Sequence, residues 1–370
     1  MIDYTYIIIV FIIFILSIAV SYFRSKKLLL ITLTVICLVS SFRFNLGGDY
    51  PAYYYIFHDI GNGAIPPLYY TEPLFVLLNI IVYSLGLHFN VILFISSALL
   101  MYSVYMLMLY LDRKYWFIFL CIFIVSYNAY WSMLIYTRQE ISTAFIVMAF
   151  ISLHKGLRYK ATLLLITASL FHNPAIILSI GLFFNKRINL SSYVFLLIIA
   201  IVFSLCIPFI LHSLPSSHYT YYSNLSSPVA AMLTISFFSK LFVFLISLFI
   251  LKRYKGDLLY NLFLLSQIVF IASSFFSPLF RVNTYFSLFY IFGLCMVFRY
   301  IANRFSAVFS IMLVCINLLY NGLSLNKIIV NKHDHYYWQG YNNIFTADSD
   351  LHYFSDRIEY NTAHGVESIF

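Results

Sequence analysis

The sequence predicts an all-α, polytopic membrane protein, and three observations lead to this prediction. Charged residues make up 9% of the chain and hydrophobic residues 62%, whereas a soluble protein averages about 25% charged residues. Apolar segments that can cross roughly 30 Å of hydrocarbon recur along most of the chain. The net charge of +9 is spread over short loops, which is the pattern that membrane orientation requires, so we expect no nucleic-acid partner.

The apolar segments predict about 10–12 transmembrane helices. Ten segments are long enough to cross, if the shorter ones have polar flanks or thin the bilayer locally. They lie near residues 4–22, 28–42, 90–111, 115–131, 136–153, 188–211, 229–251, 258–277, 280–298 and 305–323. Two further stretches, 73–87 and 161–184, are ambiguous.

Six short clusters of lysine and arginine predict the orientation of the chain. They hold 15 of the 22 Lys and Arg residues, and the positive-inside rule places all six in the cytoplasm. The clusters are Arg24/Lys26/Lys27, Arg113/Lys114, Lys155/Arg158/Lys160, Lys186/Arg187, Lys252/Arg253/Lys255 and Arg299/Arg304. Because an even number of crossings must separate neighbouring clusters, both ambiguous stretches are expected to re-enter or break.

The stretch 161–184 carries a signal for such a break. Phe171-His172-Asn173-Pro174 lies near its middle, where the proline removes a backbone donor and disfavours helix in the residue before it. Broken helices at membrane depth are tolerated only where they line a protein-buried or water-filled cavity. We therefore expect two half-helices with His172 at their apex.

The same orientation places both chain termini and two long loops, 43–72 and 212–228, at the outer face. We expect a transmembrane domain over residues 1–324 and a polar tail over residues 325–370. Three arginines fall at this outer face, and His172 approaches it. They are Arg43, Arg138 and Arg281.

The segment 41–55 is the strongest candidate for a binding site. Arg43 has a planar guanidinium suited to phosphate, and Gly47 and Gly48 let the backbone approach a ligand closely. Asp49 is a candidate acceptor or base, although it is equally a candidate N-cap for a following helix.

Arg138 and Arg281 extend this candidate site. An arginine near the hydrocarbon costs roughly 2.5–3.5 kcal/mol at a helix centre, so it persists with a partner or a function. Either one alone is explained as well by snorkelling to the interface or by pairing with Glu140 or Glu72. Three arginines at one face beside a Gly-Gly-Asp loop favour an anionic ligand.

The order of these motifs resembles the signature of the EpsG family of Wzy-like polysaccharide polymerases. In the first motif an arginine, a short spacer, glycine, Asp-Tyr and then aromatic residues follow one another. The matching landmarks run in order along the chain. They are Phe42-Arg43, Gly48-Asp49-Tyr50, Arg138-Gln139, Phe171-His172, and Arg281 with Tyr285-Phe286.

This resemblance implies a polymerase of lipid-linked oligosaccharide repeat units, of the O-antigen or capsule type, in a bacterial inner membrane. The implied fold is that of a membrane glycosyltransferase (GT-C-like) with its active site facing the periplasm, where the 325–370 tail also lies. A glycan on undecaprenyl pyrophosphate is transferred to a hydroxyl group of the next lipid-linked repeat. The implied partners are this lipid-linked oligosaccharide, membrane lipid and a chain-length regulator. No metal or other cofactor is expected, because arginine can supply the charge.

The resemblance also implies roles for individual residues. Arg43, Arg138 and Arg281 are expected to bind pyrophosphate, Arg138 as part of the catalytic group. The other substrate-binding candidates are Gly47, Gly48, Tyr50, Gln139, Tyr285 and Lys240.

Three of these roles stay open at this point. Asp49 and His172 are both candidates for the base, since His172 titrates near neutrality, although a lone histidine in an apolar stretch is more often a hydrogen-bonded core residue. Lys240 is either a counter-ion for lipid pyrophosphate or the partner of a buried carboxylate.

The main alternative function is a transporter or flippase for lipid-linked sugars. Broken helices and charges inside the membrane suit transporters as well. The sequence has no evident internal repeat, since the loop with Arg43 and Asp49 has no counterpart in the second half. A further alternative is an O-acetyltransferase or another lipid-phosphate glycosyltransferase.

Overall fold

A computed structural model describes most of the chain. It covers residues 4–44, 49–64, 71–184, 188–212, 235–250, 254, 256–276, 279–304 and 342–343. This part is helical except for one pair of two-residue strands, which confirms the all-α class.

The helices follow one another with short connections over the first half of the chain. The α-helices are α1 (Tyr4–Phe23), α2 (Lys26–Ser41), α3 (Tyr50–Gly61), α4 (Pro73–Ser84), α5 (Asn90–Met108), α6 (Trp116–Val125), α7 (Ser132–Ile135), α8 (Thr137–His154), α9 (Arg158–Phe171), α10 (Leu190–His212), α11 (Ile235–Ile250), α12 (Leu258–Ala272) and α13 (Leu279–Arg304). Two 3₁₀ segments, one π-helix and two strands complete the described elements. They are Arg113–Tyr115, Asn173–Phe184, Tyr127–Trp131, β1 (Arg43–Phe44) and β2 (Asn342–Asn343).

Three of the described helices are long and apolar enough to span a membrane. They are Asn90–Met108 in α5, Leu190–Ile210 in α10 and Arg281–Ile301 in α13. Along α10 a series of large apolar side chains is exposed, including Phe195, Ile198 and Phe203, as a lipid-facing helix requires. This confirms a membrane protein, whereas the number of 10–12 spanning helices stays a prediction.

The described residues form two compact units. The first comprises those within Met1–Phe145, Ile166–Asn173 and Leu313–Phe370. In this unit α2 packs between α1 and α5, α1 also packs on α6, and α3 packs on α4. The guanidinium of Arg113 donates to the carbonyl oxygen of Arg24 at 3.1 Å. Two of the six basic clusters therefore lie together, at the end of α2 away from Arg43.

The second unit comprises the described residues within Ile146–Leu165 and Pro174–Met312, with α12 at its centre. Tyr193 of α10 donates to the side-chain oxygen of Asn261 in α12 at 2.8 Å. Tyr260 of α12 donates to the carbonyl oxygen of Ser247 in α11 at 2.7 Å. On the third side α13 comes so close that a Cβ atom at Gly293 would overlap the ring of Phe263.

The predicted break at His172 is confirmed. The helix α9 ends at Phe171, and a 3₁₀ segment begins at Asn173. The other ambiguous stretch, 73–87, forms the unbroken helix α4. Its 12 residues span about 18 Å, less than the hydrocarbon thickness, so re-entry of this stretch stays a prediction.

The expected single helix over 115–131 is wrong. The helix α6 ends at Val125, because Ser126 has an extended backbone with ψ of 118°, and a π-helix follows. The indole nitrogen of Trp131 donates to the carbonyl oxygen of Ile124 at 2.7 Å, which satisfies a carbonyl group that the broken helix leaves open. The expected segment 305–323 and the loop 212–228, apart from its first residue, lie outside the described residues.

Candidate functional site

Arg43 lies inside the first unit, in a fully buried position with 0% exposure. Its Nη1 donates to the carbonyl oxygen of Ser40 at 2.6 Å, and its Nη2 donates to the hydroxyl of Thr137 at 3.3 Å. The same Nη2 lies 3.8 Å from Oε2 of Glu140 and forms an ion pair with it. Arg43 thus fastens β1 to the first turn of α8.

The carboxylate of Glu140 is satisfied on both oxygens by neighbouring hydroxyls. Ser96 donates to Oε2, and Ser97 donates to Oε1 at 3.2 Å. Desolvating an ion pair is costly unless hydrogen bonds satisfy its remaining acceptors, and these two serines of α5 do so. The result is a buried polar network that links β1, α5 and α8.

The backbone of β1 is held from two further directions. The side-chain amide of Asn90 donates to the carbonyl oxygens of Ser41 and Arg43, at 2.9 and 3.4 Å. The strand β2 pairs with β1 antiparallel, with Arg43 opposite Asn343. Residues of the predicted tail thus reach the strand that carries Arg43.

Arg138 lies in the first turn of α8, near the start of the predicted segment 136–153, but it faces away from Glu140. Residues that are two positions apart on an α-helix point in directions about 200° apart. The side chains of Arg138 and Glu140 therefore contact different partners. Nη1 of Arg138 lies 2.6 Å from Oε2 of Glu72. The guanidinium carbon lies 5.5 Å from the ring centroid of Tyr53, a cation–π distance. The side chain of Arg138 keeps 22% exposure, so a ligand can reach it.

Glu72 connects Arg138 to the broken segment. Its second oxygen, Oε1, accepts a hydrogen bond from the backbone N–H of Asn173 at 3.1 Å. This N–H belongs to the first residue after the break, so it needs a partner outside the helix. Glu72 therefore ties the break, with half-buried His172 beside it, to the arginine of α8.

Asp49 joins the same cluster through Tyr53. It occupies the position before α3, but its side chain makes no capping hydrogen bond. Instead its carboxylate accepts from the Tyr53 hydroxyl at 3.4 Å. Burial, with a smaller contribution from the Asp49 charge, raises the pKa of Tyr53 above its ordinary value. Tyr53 therefore stays protonated at neutral pH and acts as a donor.

These contacts bring together Asp49 and Arg138, two residues that the sequence singles out, and they place the backbone next to His172 beside Glu72. We call the group Asp49, Tyr53, Glu72 and Arg138 the acidic cluster, since it holds two carboxylates and one guanidinium. Such a cluster can hold an anion at the arginine and can accept a proton at a neighbouring carboxylate or imidazole.

Other predicted ligand residues of the first unit lie in the interior. Tyr50 is 2% exposed and packs edge-on against Phe89 at 5.5 Å between centroids, and Gln139 is 2% exposed. Their contact with substrate stays a prediction. Gly47 and Gly48 lie outside the described residues.

Three candidates belong to the second unit. Arg281 is exposed in the first turn of α13, and Tyr285, one turn later on the same face, is fully buried. Lys240 is half-buried on α11, and its Nζ donates to the hydroxyl of Ser274 at 2.8 Å.

Two members of the acidic cluster, Glu72 and Tyr53, are not among the site residues predicted from the sequence. Glu72, which precedes Pro73, is considered there only as an ion-pair partner of an arginine, and its contact with Arg138 confirms that alternative. A sequence signal was nevertheless present, because glutamate is a poor N-cap and a carboxylate at a membrane edge usually has a partner or a function. Tyr53 is hidden among the neighbouring tyrosines at 54 and 55, and the spacing of four residues from Asp49 is the signal that singles it out.

The chain was compared with known proteins. The family model described as the EpsG family matches residues 26–343, from the first residue of α2 to the last residue of β2. Comparison with curated proteins and with solved structures gives no match.

Proposed function

Since this chain belongs to the EpsG family, we propose that it polymerises oligosaccharide repeat units carried on undecaprenyl pyrophosphate. Proteins like EpsG are of the polysaccharide-polymerase type. The observation that carries the proposal is the partly exposed Arg138, 2.6 Å from Glu72 and above the ring of Tyr53, whose hydroxyl donates to Asp49. A cation and candidate proton acceptors thus lie together, as transfer from a lipid pyrophosphate requires.

The reaction forms one bond and breaks another at the same carbon. A hydroxyl oxygen of the incoming repeat attacks the anomeric carbon of the growing glycan. The bond from that carbon to the pyrophosphate oxygen breaks, and its electron pair leaves with undecaprenyl pyrophosphate. The hydroxyl proton passes to a base on the protein.

Arg138 is assigned to the departing pyrophosphate. Negative charge grows on this group as the bond breaks, and a preorganised donor at such a position contributes roughly 3–4 kcal/mol. Arg281 is proposed to bind pyrophosphate as well. A base contributes about 10²–10⁴-fold, and both Asp49 and His172 are proposed for that role.

The sequence led us to expect that Arg43 binds pyrophosphate, but its guanidinium is fully buried, so the proposal assigns Arg43, like Glu72, to positioning. Arg43 is buried against Glu140 and orients the start of α8, from which Arg138 projects. Glu72 holds Arg138 and the backbone of Asn173 at once. Both act through Arg138 and need no contact with the sugar.

The proposal includes a location for this chemistry. We propose a bacterial inner-membrane protein of the GT-C-like class, with the acidic cluster and both termini on the periplasmic side. The contact between Arg113 and Arg24 supports it, because both basic clusters then lie at the end of α2 opposite Arg43. The division at residues 324 and 325, and a chain-length regulator as partner, belong to the same proposal.

Polymerisation in vitro tests this function. The lipid-linked repeat unit is extracted from host cells that lack the protein and supplied to the purified full-length chain, without metal or nucleotide sugar. We expect a ladder of lipid-linked products that differ by one repeat. If the lipid-linked repeat instead crosses liposome membranes and no ladder forms, the protein is a transporter, an alternative that the comparisons do not support.

Variants of Arg138 test its assignment in the same assay. We expect Arg138→Ala to lower the rate by about 100-fold or more, and Arg138→Lys to restore little, because lysine lacks the planar fork. Arg113→Ala, which removes an exposed arginine at the other end of α2, is the matched control and should keep the wild-type rate. A full ladder from Arg138→Ala at equal protein level contradicts the assignment.

A further inference from the structure

One face of α8 carries three side chains that reach the break after α9. Arg138, Ser142 and Phe145 follow one another at intervals of four and three residues, a spacing that places them on the same side of an α-helix. Arg138 reaches the break through Glu72, which also accepts the backbone N–H of Asn173. Ser142 and Phe145 contact the last turn of α9 itself. The start of α8 and the break are thus joined at three points, all within the first unit.

Ser142 is bonded to the backbone that leads into His172. Its side chain is fully buried, and its hydroxyl donates to the carbonyl oxygen of Ala168 at 2.9 Å. The same oxygen accepts the backbone N–H of His172 at 3.0 Å. A serine inside a helix commonly bonds a carbonyl group of its own helix, as Ser103 of α5 does with Leu100 at 2.7 Å. The hydroxyl of Ser142 instead connects α8 to the carbonyl group that holds the peptide of His172.

Phe145 adds an apolar contact one turn further along the same face. Its ring stacks on the ring of Phe171, with 5.6 Å between the centroids and 12° between the planes, a distance that aromatic pairs favour. Both rings also pack against the hydrophobic core of the first unit. Because Phe171 directly precedes His172, this stack fixes the side chain before the break, whereas Ser142 fixes the carbonyl group one turn earlier.

The backbone after His172 is held as well. Glu72 binds the N–H of Asn173 with one carboxylate oxygen, at 3.1 Å, and Arg138 with the other, at 2.6 Å. The chain on both sides of His172 is therefore connected to the face of α8 that carries Arg138. Such precision matters for catalysis, because a base must lie within hydrogen-bond reach of the proton that it takes, and a displacement of about 1 Å can cost about 100-fold in rate.

We propose that Ser142 and Phe145 are positioning residues, which hold His172 at a fixed position relative to Arg138. The use of His172 as the base rests on the proposed function, whereas the docking of the last turn of α9 on α8 rests on the contacts described above. Neither Ser142 nor Phe145 needs to touch the substrate, since both act through His172. The face of α8 that begins with Arg138 thus sets the geometry between a cation for the leaving group and a base for the incoming hydroxyl.

Steady-state polymerisation by the purified full-length chain tests this role. We expect Ser142→Ala to lower kcat about tenfold and to leave KM for the lipid-linked repeat unchanged, because His172 serves the chemical step rather than binding. Ser142→Thr keeps the hydroxyl and should be faster than Ser142→Val, which has the same shape without it. Ser103→Ala also removes a fully buried serine hydroxyl; it is the matched control and should keep the wild-type kcat.

A double-mutant cycle separates positioning of His172 from a general loss of structure. His172→Ala alone should slow the reaction by about 10²–10⁴-fold. If Ser142 acts through His172, adding Ser142→Ala to His172→Ala should slow the reaction little further. An equal tenfold fall in both backgrounds overturns the proposal. If Ser142→Ala does not fold, Phe145→Leu takes its place in the same cycle, with the same expected and contrary results.

Hydrogen exchange measured by mass spectrometry tests the docking without the reaction. We expect the amides of His172 and Asn173 to exchange about fivefold faster in Ser142→Ala, as the loss of one hydrogen bond implies, and at the wild-type rate in Ser103→Ala. Unchanged exchange in Ser142→Ala overturns the docking, and faster exchange with an unchanged kcat overturns the positioning role. If the wild type forms no ladder, the proposed function is lost, while the exchange rates still decide the docking.

Discussion

The two units differ in the groups that contact their buried and half-buried cations. In the first unit each arginine of interest has a carboxylate within the chain: Arg43 has Glu140 at 3.8 Å, and Arg138 has Glu72 at 2.6 Å. In the second unit Lys240 contacts the neutral groups of Ser274 and Phe270. Among the described residues, carboxylate partners balance the arginines of the first unit, whereas a hydroxyl group and an aromatic ring contact Lys240. In the first unit, removing one partner of a pair therefore leaves the other charge uncompensated.

Among the variants that test this difference, Glu140→Ala is expected to have the largest effect, which is on the stability of the protein. This substitution leaves Arg43 buried without its carboxylate, which should destabilise the protein by about 3–5 kcal/mol. Thermal unfolding in detergent measures the loss. The exposed pair Lys114 and Asp112 has the same 3.8 Å separation, so Asp112→Asn is a matched control and should cost less than about 1 kcal/mol.

The double variant Arg43→Met with Glu140→Leu checks the origin of this loss. Removing both charges should recover much of the stability, because an apolar pair of similar volume avoids the desolvation cost. Equal stability of Glu140→Ala and the wild type shows that the pair is not needed.

A smaller effect is expected in the second unit, which close packing holds together. Gly293→Ala adds a Cβ atom that would overlap the ring of Phe263. Overpacking of this kind costs about 1–3 kcal/mol, and the melting temperature should fall accordingly. Adding Phe263→Leu should relieve the overlap and raise the melting temperature again. An unchanged melting temperature in Gly293→Ala contradicts the close approach of α12 and α13.

The smallest effect is expected from Glu72→Gln, which tests the positioning role of Glu72. Glu72→Gln keeps the size of the side chain but removes the charge that pairs with Arg138. We expect polymerisation to slow by about tenfold, the equivalent of roughly 1.4 kcal/mol, because Arg138 and Asn173 lose their common anchor. Initial rates over a range of lipid-linked repeat concentrations separate the effect on kcat from that on KM.

Asp59→Asn is the control for Glu72→Gln, since Asp59 is an exposed carboxylate on α3. It should keep the wild-type rate. A positioning role predicts partial rescue by Glu72→Asp, which restores the charge. If Glu72→Asp is as slow as Glu72→Gln while both melt at the wild-type temperature, positioning by charge is wrong.

Local chemistry explains what sequence reasoning predicted well. The break at His172 follows from Pro174 two residues later. Proline has no backbone N–H and disfavours helical backbone angles in the residue before it. The position of Arg138 near the start of α8 could be predicted because the polar residues Thr137 to Glu140 precede a long apolar stretch. Both effects act within one or two turns of chain.

Which carboxylate pairs with which arginine was less predictable, because this depends on tertiary packing. Glu140 lies two residues from Arg138 in the sequence, yet it pairs with Arg43, and Arg138 pairs with the distant Glu72. The pairing is decided by the face of α8 that packs against α5. No local sequence pattern indicates which face that is. The interruption at Ser126 was missed for the same reason. The indole of Trp131, five residues after the break, donates to the carbonyl oxygen of Ile124 that the end of α6 leaves open.

The pairing of β1 with β2 has a consequence for how the protein is made. Asn343 follows Arg43 by 300 residues, which a ribosome needs roughly 15 to 60 s to synthesise at about 5–20 residues per second. During that interval α1 to α13 leave the ribosome while β1 has no strand beside it. The strand that carries Arg43 is therefore completed late in biosynthesis, and a nascent chain stalled before residue 342 enters the membrane with that edge open.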